Sequence, residues 1–281
     1  MANQVVTSAE DASTQQATQD AGGRGARMRE SGRLAALVYP AATLLILLGA
    51  WEFVVRTEIV NPIIVPAATD VAAALFGLLD EDYFWTATRV TLQETLIGFV
   101  IGVSGAWVLG TLIGLSRVFR LAIYPLVVAF QIMPRIALAP LFLTWFGFGI
   151  TSKIVMAATI CFFPVLINVV VGMQTVDEDA KALMRSFGAS RLEEYRKLTL
   201  PSSLPVIFAG IKTAMTLALI GAIVAEFVGA SEGMGVLIKT FNFQLDVAEG
   251  FAVIVALSLI GLVLYGITEL IENKIVFWRG H

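Results

Sequence analysis

Ser186-Phe-Gly-Ala-Ser-Arg-Leu-Glu-Glu-Tyr-Arg-Lys-Leu-Thr-Leu-Pro201 is a charged, helix-forming stretch between two long apolar segments. Just upstream, Asp177, Glu178 and Asp179 open a short helix and Lys181 and Arg185 follow, the polarity a helix dipole favours. Ala180, Leu183, Met184 and Phe187 recur at i, i+3, i+4 and i+7 and make one apolar stripe. Gly188 is placed to end that helix in a left-handed turn. Ser190 and Glu193 then form the S-x-x-E capping box of a second helix. Leu192, Tyr195 and Leu198 recur every three residues on one side, with Arg191, Glu194, Arg196 and Lys197 around the rest. Pro201 is expected to stop this helix, and Pro205 to help start the next segment. The product is a helix–Gly–helix elbow over 177–201. A solvated connector needs neither two amphipathic faces nor two coordinated caps, so the elbow reads as a surface for another protein.

The flanking segments belong in lipid. Of 281 residues, 57% are hydrophobic and only 15% charged, against about 25% charged in soluble domains. Uncharged runs cover 34–51, 95–116, 154–176 and 250–268, each close to the roughly 20 residues that a spanning helix needs. Two more runs carry charges: 121–149 contains Arg135, and 204–228 contains Lys212 and Glu226. The expected fold is an all-α membrane protein with six transmembrane helices near 34–55, 91–116, 121–148, 152–175, 203–229 and 249–272, inside one domain over 33–281. Residues 1–32 are polar and read as a disordered tail. Lys and Arg concentrate before the first helix, in the 173–203 loop and after the sixth helix, which places that loop and both termini in the cytoplasm.

Several chemistries are excluded. His281 is the only histidine, so a histidine-based metal site or catalytic triad is not expected. Cys161 stands alone in the fourth helix and reads as a buried structural thiol. The spans show neither clustered histidines nor paired carboxylates nor a serine–base pair. There is no G-x-x-x-x-G-K-[ST] phosphate loop. No catalytic, cofactor-binding or metal-binding residue is expected, and nothing in the net charge of -3 suggests nucleic acid.

Features within the spans leave alternatives open. Gly98 and Gly102, and Gly110 and Gly114, are spaced to let helices approach closely. Pro125, Pro134 and Pro140 can bend the third helix. Pro134 and Arg135 are candidates to line a pathway. Arg135 could instead snorkel to the outer interface or pair with Glu226. Glu226, followed by Gly229, Gly233, Met234 and Gly235, suits a gate or an ordinary interfacial helix end. Lys212 reads as structural. Between the first two spans, Thr69 can cap a short helix through Leu79 with Val71, Ala72, Leu75, Leu78 and Leu79 on one face. That helix lies on the outer membrane surface or packs on its own bundle.

The elbow resembles the signature of permease subunits of ATP-binding-cassette importers of the type I fold. That signature reads E-A-A, three residues, Gly, nine residues, I-x-L-P. Here Gly188 is followed by nine residues and then Leu198-Thr199-Leu200-Pro201, while Ala182, Leu183 and Met184 stand at the E-A-A triplet. Residues 35 to 275 are similar to one branch, the permeases for nitrate, bicarbonate, taurine, aliphatic sulfonates and related solutes, some of them pyrimidine or flavin precursors. Matching stretches are Pro134-Arg-Ile-Ala-Leu-Ala-Pro-Leu141, Trp145-Phe-Gly-Phe-Gly149 with Ser152-Lys153, Phe163-Pro164 with Asn168, Gly188-Ala-Ser-Arg191, Ala225-Glu226 and Gly233-Met-Gly235.

The resemblance implies a binding-protein-dependent importer of a small anionic or polar solute in a bacterial inner membrane, working by alternating access. Its partners would be ABC ATPase subunits carrying ATP and Mg, a second permease copy (the simplest case a homodimer), and a periplasmic or lipid-anchored solute-binding protein. ATPase coupling would fall on Phe187, Gly188, Ala189, Ser190, Arg191, Leu192, Glu193, Tyr195, Leu198 and Pro201. Pathway or gate candidates are Pro134, Arg135, Glu226 and Met234. The competing reading is a stand-alone secondary transporter or channel that uses intramembrane charges.

Overall fold

The computed structural model describes residues 38–61 and 64–278. The tail expected over 1–32 and the terminal His281 lie outside them. Helices account for the secondary structure of the described residues. The chain divides after Thr69 into two compact units.

In the first unit, α1 (Val38–Arg56) is apolar and long enough to cross a bilayer. Leu44, Leu45, Ile46 and Leu47 are all exposed, a surface suited to lipid. At its end Glu52 pairs with Arg56 at 3.0 Å and accepts the Thr69 N–H at 3.1 Å and the Thr69 hydroxyl at 2.8 Å. Thr69 therefore does not cap the next helix from outside. It is the second residue of α2 (Ala68–Leu79), and its hydroxyl donates a hydrogen bond to Glu52.

In the second unit, α2 buries Val71 and Leu78 and leaves Ala72 and Leu79 exposed. The bundle is built on α3 (Asp82–Leu115), α6 (Ile150–Gln174) and α9 (Leu200–Gly229), with α6 packed against both of the others. Its core includes Ile113, Val165, Leu166, Val169, Val170, Met173, Ile207 and Ala218. Gly98, Gly102, Gly110 and Gly114 form the face of α3 that meets α6. A Cβ on Gly98 would stand 2.6 Å from Ala157 Cβ, and one on Gly110 2.8 Å from Val169 Cβ. These backbones are closer than any side chain allows, and in lipid such packing replaces the hydrophobic effect as the force between helices. Cys161 is fully buried in this seam.

The third expected helix is broken. α4 (Arg117–Ile132) ends before Pro134, a 3₁₀ turn spans Arg135–Leu138, and α5 (Ala139–Phe146) leaves at 85° to α4. Met133 precedes the proline and takes the extended conformation that the proline ring imposes, φ −61° and ψ 135°. Pro125 stays inside α4 and Pro140 lies in the first turn of α5, where a missing N–H costs nothing. After α9 come α10 (Met234–Gln244) and α11 (Val247–Ile275). Lys212 of α9 bonds Glu272 of α11 at 2.6 Å. By length and composition five helices among the described residues can cross a membrane, and six can if the bent pair is one span.

Candidate functional site

The elbow forms from local signals. Asp177 caps α7 (Glu178–Ser186) by accepting the Asp179 N–H at 2.9 Å. Gly188 closes it at φ +79°. Its N–H donates to Arg185 O at 2.9 Å, and the Ala189 N–H donates to Met184 O at 3.1 Å. That is a Schellman turn, open to glycine at little cost. Ser190 then caps α8 (Arg191–Glu194) with both halves of the capping box made. Glu193 is held down to about 2, first by the Ser190 backbone N–H and then by Lys197, so the box persists throughout the physiological pH range.

An ion pair locks the two arms. Arg185 Nε donates to Glu194 Oε2 at 2.8 Å and Nη2 to Oε1 at 3.0 Å. The guanidinium also holds the Glu194 carboxyl below the usual carboxylate range. Such bidentate pairs fix geometry as well as adding energy. Beside them is a cleft of about 900 Å³ lined by Leu115, Arg117, Arg185, Ala189, Arg191 and Tyr195.

Pro201 does not stop the second arm. Helix runs without interruption from Arg191 to Gly229. A π-helical turn over Tyr195–Thr199 shifts the hydrogen-bond register, and the Leu200 N–H reaches back to Tyr195 O. Pro201 then falls in the first turn of α9, where it owes no hydrogen bond. The same turn splits the expected stripe. Leu192 stays 63% exposed, whereas Tyr195 is half-buried against the bundle core and Leu198 is half-buried too. At 39 residues this helix is about 58 Å long, well beyond a hydrocarbon core of about 30 Å. Its charged first turns therefore stand outside the bilayer. On this rigid, charged elbow Leu183, Phe187 and Leu192 are exposed by 59%, 82% and 63%.

The far end of α9 holds the second constellation. Glu226 is fully buried, three residues before the end of α9. Thr91 of α3 donates its hydroxyl to Glu226 Oε1 at 2.6 Å, and the Gly235 N–H of α10 donates to Oε2 at 2.6 Å. The Met234 N–H donates to Thr91 Oγ1 at 2.8 Å. Gly233, at φ +123°, and Gly235 leave room for the carboxylate, because a Cβ on either would collide with it. Glu94 of α3 lies within hydrogen-bond reach of Glu226, and Lys153 of α6 acts electrostatically on both. The spans thus do contain paired carboxylates, contrary to the reading of the sequence. Glu94 borders the uncharged run 95–116 and reads there as its edge. The helix begins at Asp82, more than three turns earlier, which places Glu94 well inside it.

Glu226 and Met234 come together, but Arg135 stands apart from them. Arg135 Nη1 donates to Ile160 O at 3.2 Å, and its guanidinium lies 5.1 Å from the centre of the Phe163 ring. Among the described residues no ion pair joins it to Glu226. Pro134, beside it, is exposed at the break between α4 and α5.

Comparison with known proteins agrees with this architecture. The family described as binding-protein-dependent transport system inner membrane component matches residues 98–277. The formylaminopyrimidine transport permease of Halalkalibacterium halodurans is 35% identical over 245 residues, 85% of this chain and 95% of that protein. The riboflavin transport system permease of Chloroflexus aurantiacus is 35% identical over 237 residues, 84% of this chain and 88% of that protein. Among solved structures, the inward-facing MetNI methionine ABC transporter superposes with a TM-score of 0.61 at 18% identity, covering 69% of this chain and 98% of the matched one. The chain therefore belongs to the family of binding-protein-dependent transport system inner membrane components and is a permease of an ABC importer with the type I fold.

Proposed function

We propose that the elbow is the surface on which a separate ATPase subunit docks, and that its movement switches the bundle between outward- and inward-facing states. The observation that carries this is the exposure of Phe187, Leu192 and Leu183 on a loop that spends two caps and a bidentate ion pair on rigidity. Exposed apolar groups on a preorganised scaffold favour a protein partner. ATP and Mg would bind the ATPase. The elbow and both termini face the cytoplasm, where the Lys and Arg of the loops concentrate. A second copy of this chain completes the pathway, and an external binding protein delivers the solute.

Leu192→Asp tests the docking surface. A carboxylate buried at the contact is expected to weaken ATPase binding about tenfold, the scale of one interface anchor, and to cut uptake in parallel while the chain still inserts. Co-purification and uptake in vesicles read both. Full ATP-driven uptake in the variant would remove the elbow from the mechanism.

The solute is a small polar molecule. Likeness to the formylaminopyrimidine and riboflavin permeases favours a heterocycle over a sulfonate or nitrate. The solute retained by the cognate binding protein on purification distinguishes these. Arg135 is the pathway candidate, half-buried at the break between α4 and α5. Arg135→Gln is expected to lower uptake about tenfold, as for loss of one charge-assisted hydrogen bond, with ATPase docking unchanged. Unaltered uptake would assign Arg135 to holding α6 through Ile160 and Phe163.

A further inference from the structure

Glu94 is 2% exposed, and no N–H or O–H of a neighbouring group donates to its Oε2. A buried carboxylate oxygen left bare in this way is costly. The Glu94 carboxyl lies within hydrogen-bond reach of another carboxylate, Glu226. Glu226 already accepts from Thr91 on one oxygen and from Gly235 on the other, the pattern of an ionised group. Two ionised carboxylates side by side would repel, but a proton on Glu94 turns the repulsion into a hydrogen bond.

The surrounding charges agree with one proton. Among the described residues Lys153 of α6 is the cation that acts on the pair, and its ammonium donates to the carbonyls of Phe148 and Gly149. It makes no ion pair with either glutamate within 4 Å. α9 contributes Glu226, α10 the Gly235 N–H, and α3 contributes Thr91 and the unpartnered Thr95 hydroxyl. Two carboxylates and one ammonium leave a net charge of -1 among buried side chains. One proton brings the cluster to zero, and the nearby ammonium disfavours a metal cation in its place. Among the described residues no three-ligand metal cluster occurs.

We propose that Glu94 is a proton-binding residue: it is held as a neutral carboxylic acid that donates to the Glu226 carboxylate, and this proton secures α10 against α3 and α9. The two first-turn N–H groups of α10 that are anchored outside the helix end on Thr91 and Glu226. Loss of the proton would set a second negative charge beside the one that holds α10.

The test uses the full chain purified in detergent and needs no transport partner, so its outcome is separate from that of the coupling proposal. Infrared spectroscopy near neutral pH is expected to show the carbonyl band of a protonated carboxyl group in the wild type and its loss in Glu94→Gln. Glu94→Gln is expected to keep the wild-type thermal midpoint, because the amide is neutral and donates. Glu94→Ala is expected to lower it. A wild type without the band, a band that survives Glu94→Gln, or a Gln variant as unstable as the Ala variant would each overturn the proposal. So would a wild type that lacks the band and is stabilised by added sodium or potassium, since a cation would then hold the site.

Discussion

Gly188→Val is expected to abolish most ATP-driven uptake while leaving insertion of the chain intact. A Cβ at this position meets nothing within 4 Å, so crowding is not the reason. The backbone is. At φ +79° an ordinary L-residue costs roughly 1–2 kcal/mol, and a β-branched one more. Relief requires the turn to unwind, which breaks the bonds from Gly188 to Arg185 and from Ala189 to Met184. Each is worth about 1 kcal/mol. Those bonds are lost equally whenever the wild type opens, so the strain alone sets the shift: about 1–2 kcal/mol lowers the ratio of closed to unwound elbow roughly 5- to 30-fold, and more for a β-branched side chain. Asn tolerates the left-handed region, so Gly188→Asn is expected to restore much of the uptake. The measurement is ATP-driven uptake in vesicles beside the amount of inserted protein. Equal loss in the Val and Asn variants would mean that the exposed glycine surface, rather than its conformation, serves the partner.

The elbow was legible in the sequence because its determinants are local. Gly188, Ser190 and Glu193 sit within six residues of one another, and each acts on backbone groups at most four residues away. The apolar spans were legible from composition for a similar reason: among the described residues five helices are long and apolar enough to cross, or six if the bent pair is one span. Three features were not. The break between α4 and α5 required choosing one of three prolines. Pro134 breaks the helix, whereas Pro125 is accommodated, and only tertiary packing tells them apart. Pro201 reads as a helix stop, yet a one-residue change of register at the π turn absorbs it. The glutamate pair was hidden by distance along the chain. Thr91 and Glu226 are 135 positions apart, and no period in either segment joins them. The glycines at 233 and 235 were visible as a pattern, but their purpose was not, because the carboxylate they accommodate comes from another helix.

That accommodation leads to the largest expected change in stability. In Gly235→Val the new Cβ would stand 2.8 Å from Glu226 Oε2, 2.9 Å from Glu226 Cβ and 2.9 Å from Ile223 O. The last is backbone of α9 and cannot turn aside. α10 must therefore lift away, and the 2.6 Å bond from the Gly235 N–H to Glu226 is lost with it. The bond matters because first-turn N–H groups have no partner inside their own helix, and a carboxylate at that end also meets the positive pole of the helix dipole. Overpacking of this kind costs about 1–3 kcal/mol, and a hydrogen bond to a charged group about 1.5–3 kcal/mol. Together they reach the range in which single substitutions unfold proteins. The check is the thermal midpoint of the purified chain, measured beside Gly250→Ala. Gly250 lies inside α11 with only Phe241 Cβ at 3.8 Å, so an added methyl group there meets ordinary contact and reduces backbone freedom in the unfolded chain. The two substitutions should thus move the midpoint in opposite directions: sharply down at Gly235, unchanged or slightly up at Gly250. A Gly235→Val chain as stable as the wild type would show that α10 does not depend on Glu226 for its place.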